Sequence, residues 1–157
     1  MREQNSLTPQ QKRKIWTILD NSTDIETILL KGHLYIEHWI NENILDEFQD
    51  GQAVLKNFPY LSQKIILLSA TGRLNFPLIL EQLKTLNKIR NDIAHELFPS
   101  AIETKITSIP FEDIYGYETA DINLPIKRLT AIIKTLIVQI GNWSDKANHE
   151  WAKDAMR

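Results

Sequence analysis

Apolar residues recur along most of this chain at the three-and-four spacing of an amphipathic helix, and the two-residue alternation of strands is weak. Thr8-Pro9 has the form of an N-cap followed by a first helical proline, which predicts a helix running to about Leu19. Asp20-Asn21-Ser22 is a turn cluster. Thr23 with Glu26 has the capping-box spacing and predicts the start of a second, longer helix. On it Ile25, Leu29, Ile36 and Ile40 keep one face, with Gly32 on the same line, and the helix is expected to end near Ile44 or Glu47. A helical glycine costs about 1 kcal/mol relative to alanine, so Gly32 points to a close helix crossing.

Asp50-Gly51 and Asn57-Phe58-Pro59 read as breaks. A third helix is expected from about Leu61 to Thr71, stopping at Gly72, and a fourth from Pro77 to a point before Pro99. Residues 99–121 are interrupted by Pro99, Pro110 and Gly116 and read as a loop or short irregular elements. The last long helix is expected over Ile122–Ile140, where Leu129, Ile132, Ile133, Leu136, Ile137 and Ile140 fit the helical template, with Gly141 at its end. These elements predict an all-α fold: an antiparallel bundle of four or five helices with a long loop before the last long helix. The chain reads as a single domain over residues 1–157, with a core at about 9–141 and a tail or short extra helix at 142–157.

Composition narrows the setting. Cysteine is absent, which excludes disulfides and thiolate zinc sites. Met1–Gln11 is polar, without the apolar centre of a secretory signal, and runs such as Ile65-Ile66-Leu67-Leu68 are far too short to span a bilayer. A cytoplasmic protein with no membrane association is therefore expected. A net charge of −2 argues against broad nucleic-acid coating but leaves room for a small basic cleft.

One stretch departs from the helical pattern. On the fourth helix Ile79, Leu83, Leu86, Ile93 and Leu97 form an apolar stripe, and Arg90 falls in the middle of it. A guanidinium on a core-facing line needs a carboxylate, a phosphate or a solvated cleft. Two readings follow: an ion pair, with Glu37 or Asp92 as partner, or a functional surface.

Arg90-Asn91, followed by His95, matches the motif of HEPN domains, an arginine followed four to six residues later by histidine, with a polar residue directly after the arginine. Lys31-Gly32-His33-Leu34-Tyr35-Ile36-Glu37, Leu61-Ser62-Gln63-Lys64-Ile65 and Leu86-Asn87-Lys88-Ile89-Arg90-Asn91-Asp92-Ile93-Ala94-His95, on successive helices, resemble the layout of bacterial HEPN-like proteins over roughly residues 23–140. The resemblance implies an all-α bundle that dimerises and acts as a metal-independent ribonuclease on an RNA substrate. Such proteins often serve as toxins beside a cognate antitoxin, and the two motifs of a dimer meet in one cleft. Carried over, the catalytic set is Arg90, Asn91 and His95, with no cofactor and no metal. Some HEPN toxins carry a tyrosine two residues after the histidine as a target of modification; here that position is Leu97, which speaks against such control.

The chemistry suits these side chains. Histidine titrates near neutrality and transfers protons, roughly a 10²–10⁴-fold contribution, while arginine offers a phosphate a fork of donors. Five residues of helix nevertheless separate Arg90 from His95 by about 140°. Either the helix ends or distorts near Ala94, or a two-fold partner supplies the histidine. His33 and His38, five apart without a spaced carboxylate, do not read as a metal site, and Lys84 with Lys88 read as a solvated face or the flank of a phosphate track. A second function of a different class is a non-catalytic HEPN-like regulatory or protein-interaction module, resembling mannitol-operon-repressor proteins.

Overall fold

The computed structural model describes residues 8–96, 100–112 and 123–141. Among them the chain is all helical, in seven elements: α1 (Pro9–Asn21), α2 (Ile25–Glu47), α3 (Gly51–Asn57), α4 (Leu61–Ala70), α5 (Pro77–His95), α6 (Ile102–Thr107) and α7 (Pro125–Gly141). The five long helices of the hydrophobic pattern are α1, α2, α4, α5 and α7. No helix among the described residues is long and apolar enough to cross a membrane. The tail at 142–157, Leu97 and most of the second half of the 99–121 stretch lie outside the described residues.

Local chemistry sets most of the helix ends. Thr8 and Gln11 form a reciprocal capping box at α1. The cap of α2 is Asp24, one residue later than the Thr23 expected from spacing. Its carboxylate accepts from the Thr27 amide at 2.9 Å and the Thr27 hydroxyl at 2.6 Å, which holds its pKa below the ordinary value. Asp50-Gly51, expected to be a break, instead starts a helix: the Asp50 side chain accepts from the Ala53 amide and caps α3. Gly72 takes a left-handed φ of 78° just past α4, a conformation that favours glycine. The expected loop after α5 contains the short helix α6, and α7 begins at Pro125, three residues later than Ile122.

The core is organised around α2 and α7. Leu129 and every residue from Ala131 to Val138 are buried, so α7 is covered on nearly all sides, as a central helix must be. Gly32 allows α2 to approach it: a β-carbon there would stand 2.5 Å from Ile133 Cδ1 and 2.7 Å from Ile133 Cγ2. At the other end of α2 the fully buried Asn43 donates to the carbonyls of Trp39 (2.8 Å) and Ile140 (3.1 Å) and accepts from Arg73 Nε at 2.8 Å. One carboxamide thereby ties α2, the end of α7 and the α4–α5 turn together. Trp16 and Trp39 are core residues; the Lys134 ammonium lies 5.4 Å from the Trp16 ring and pairs with Asp20.

α4 and α5 pack against each other, and both pack against α2. The buried line of α5 is Ile79, Gln82, Leu83, Leu86 and Ile89, with Ile93 half-buried. Compared with the expected stripe, the line is turned toward Gln82 and Ile89. The Gln82 amide donates to the Pro110 carbonyl at 2.8 Å, which explains how a polar residue joins it. Arg90 consequently sits at the margin of the core, half-buried, not at its centre.

Candidate functional site

Both carboxylates considered as partners for Arg90 are engaged elsewhere. Glu37 on α2 receives the buried Lys64 ammonium of α4 at 3.0 Å. Asp92 receives Lys105 of α6 at 2.9 Å, and that hydrogen bond holds the lysine above its ordinary pKa. Among the described residues the Arg90 guanidinium forms no salt bridge, and its hydrogen bond runs from an η-nitrogen to Asn91 Oδ1 at 3.2 Å.

The helix does not bend to bring His95 round. α5 runs through His95, and the Glu96 amide donates to the Asp92 carbonyl at 2.9 Å. His95 is exposed on the last turn, about 140° from Arg90 around the axis. It does share a face with another motif residue. Lys84, Lys88, Asn91 and His95 follow one another at four, three and four residues, the spacing of a single helical stripe. The motif therefore divides: Arg90 on the core margin, His95 on the outer stripe, and Asn91 joining them through its hydrogen bond to the arginine.

A histidine outside the motif, His33 of α2, feels the charge of Arg90. It is 7% exposed, and its Nε2 faces Asn87 Oδ1 at 3.2 Å. Burial lowers its pKa; the Asn87 hydrogen bond and Glu37 oppose that shift, and the charges of Arg90 and Lys64 reinforce it. Burial thus favours the neutral imidazole, and the tautomer with its proton on Nε2 donates to the Asn87 oxygen. Motif spacing directs attention to His95 and passes over His33. The available signal was its position: four residues after Leu29 and three before Ile36, on the core line of α2, as Arg90 lies near that of α5.

Beside these groups the α4/α5 pair leaves a groove of about 440 Å³. It is lined by Ser62, the buried Ile65 and the exposed Ile66 of α4 and by Lys84, Asn87, Lys88, Asn91 and Asp92 of α5. A second depression, toward Leu80 and Ala70, shares Ile65, Ile66 and Lys84 with it. Among the described residues no three His, Asp or Glu side chains cluster closely enough to hold a metal ion.

Comparisons of this chain with family models, curated proteins and solved structures give no match.

Proposed function

We propose that this chain is a HEPN-like, metal-independent endoribonuclease of the toxin or defence type, acting in the cytoplasm as a homodimer. The observation that carries the reading is the state of Arg90, half-buried at a core margin and free of any carboxylate among the described residues. Arginine retained there without an ion pair is available to an anionic oxygen. Asn91 orients it, and His95, one turn beyond Asn91 on the outer stripe, is accessible for proton transfer.

RNA cleavage without a metal requires removal of a proton from the 2′-hydroxyl, stabilisation of the charged phosphorane and protonation of the leaving 5′-oxygen. In this reading Arg90 stabilises the phosphorane and His95 moves the proton. Since α5 remains helical through His95, the imidazole that meets Arg90 comes from the second subunit, and activity requires the dimer. A cognate antitoxin would act by covering the cleft. The test is RNA cleavage in the presence of EDTA by wild type, Arg90→Ala and His95→Ala. Activity lost in both variants is expected; equal activity in all three overturns the proposal.

The same outward position of His95 favours a second reading. A non-catalytic HEPN-like regulatory or protein-interaction module, of the mannitol-operon-repressor kind, needs no imidazole beside Arg90. It predicts no cleavage by any variant and no toxicity on expression.

A further inference from the structure

The two asparagines bordering the α4/α5 groove are both turned by partners on the protein side. Arginine only donates, so the contact with Arg90 fixes Asn91 with its oxygen inward. His33, in the tautomer with its proton on Nε2, donates to the oxygen of Asn87. With both oxygens occupied, both amide nitrogens are left as donors, and neither is engaged by another described residue. The flanking ammonium groups of Lys84 and Lys88 are exposed and unpaired with any carboxylate among the described residues. The one carboxylate on this border, Asp92, is neutralised by Lys105. The groove thus presents donors and cations from four side chains on successive turns of one helix, beside the aliphatic side chains of Ile65 and Ile66.

We propose that the α4/α5 groove is a binding site for a phosphate group carried by a nucleotide or a nucleic-acid strand, received between the Asn87 and Asn91 carboxamides and the Lys84 and Lys88 ammonium groups. Charge-assisted hydrogen bonds to phosphate oxygens are stronger than neutral ones, and amide donors add direction to the less directional lysines. The exposed Ile66, with Leu80 in the adjoining depression, offers the sugar or base an apolar surface. This site makes no use of His95 and does not depend on cleavage, so it stands or falls separately from the nuclease reading.

The experiment titrates the full chain by calorimetry with two probes: AMP, and a short 2′-O-methyl oligoribonucleotide that cannot be cleaved through its 2′-oxygen. The variants are Asn87→Asp, Asn91→Asp and the double variant Lys84→Ala/Lys88→Ala, with Lys56→Ala on α3 as control. Asn87→Asp preserves the acceptor for His33 while replacing the donor with a carboxylate oxygen, and the two lysines are exposed, so the double variant is not expected to disturb folding. Each of the three should weaken binding by roughly tenfold or more, with Lys56→Ala unchanged. Binding of AMP as tight as that of the strand identifies a mononucleotide ligand. Binding of the strand alone, weakening with salt, identifies nucleic acid. No binding of either probe, or binding indifferent to both Asn87→Asp and the double lysine variant, overturns the proposal. A protein that binds the strand but cleaves no RNA retains this site and loses the nuclease reading.

Discussion

His33 on α2 and Asn87 on α5 lie 54 residues apart in the chain, yet Nε2 of one faces Oδ1 of the other at 3.2 Å. The contact joins the helix that organises the core to the helix that carries the Arg90 motif. Truncating Asn87 to alanine leaves a buried imidazole N–H without an acceptor, at a cost of about 1–3 kcal/mol. Asn87→Asp has a different signature. A carboxylate beside the imidazole favours its cation, so the His33 pKa should rise relative to wild type. Titration of the imidazole resonances by NMR reads both the direction and the residue.

Stability should fall as the solution is made acidic, and histidines should contribute to the fall. Burial lowers the pKa of His33, which faces Glu37, Arg90 and Lys64, and of His38, which faces Glu42 and Lys12. In the unfolded chain both titrate at about 6.5. Below that pH the unfolded state binds more protons than the folded state, so stability is lost from about pH 6.5 downward until the folded-state pKa values are reached. Above it both histidines are neutral in either state and contribute no slope. Urea midpoints measured between pH 7.5 and 5 should show this decline, and His33→Gln and His38→Gln should each flatten it.

Gly32→Ala tests the α2–α7 crossing. The added methyl would meet the side chain of Ile133, itself fully buried, at 2.5 Å. Overpacking of this kind costs about 1–3 kcal/mol. The gain in helix propensity offsets at most about 1 kcal/mol of that. A net loss, read as a lower urea midpoint, is expected, and Gly32→Val should lose more. A variant as stable as wild type would mean that the crossing relaxes without strain.

Asn43→Ala removes both a donor and an acceptor from a fully buried position. The Ile140 carbonyl and Arg73 Nε each lose the Asn43 hydrogen bond. A loss of about 1–3 kcal/mol is expected from chemical denaturation. Asn43→Leu fills the volume but gives the Ile140 carbonyl and Arg73 Nε no hydrogen bond in place of the lost ones, so it should not recover wild-type stability.

The long helices were legible because their apolar spacing and caps agree: Thr8-Pro9 at α1 and Gly72 after α4 stand where the pattern put them. α3 was hidden because Asp50-Gly51 serves equally as a turn and as a cap with its first helical residue, and only the Asp50–Ala53 hydrogen bond decides between them. α6 is six residues long, too short for a period to emerge among the prolines around it. In the candidate site, Arg90 was conspicuous because a charge interrupts an apolar stripe. Its surroundings were not, because they depend on pairings across the fold. Lys64 claims Glu37 and Lys105 claims Asp92 from helices that a one-helix reading cannot align. The same limit concealed His33, whose contact with Asn87 joins two helices.

Mixing Arg90→Ala with His95→Ala chains gives the most direct test of the proposed composite site. Arg90→Ala and His95→Ala chains are unfolded together, refolded at equal concentration and assayed for RNA cleavage with EDTA present. In the proposed dimer each mixed pair would carry one site with both an intact Arg90 and an intact His95, contributed by different subunits. Inactive parents are expected, with a mixture that recovers about one quarter of wild-type activity, since half the proposed dimers would be mixed and each would have one of two sites intact. A mixture as inactive as its parents beside an active wild type, or parents as active as wild type, would contradict it.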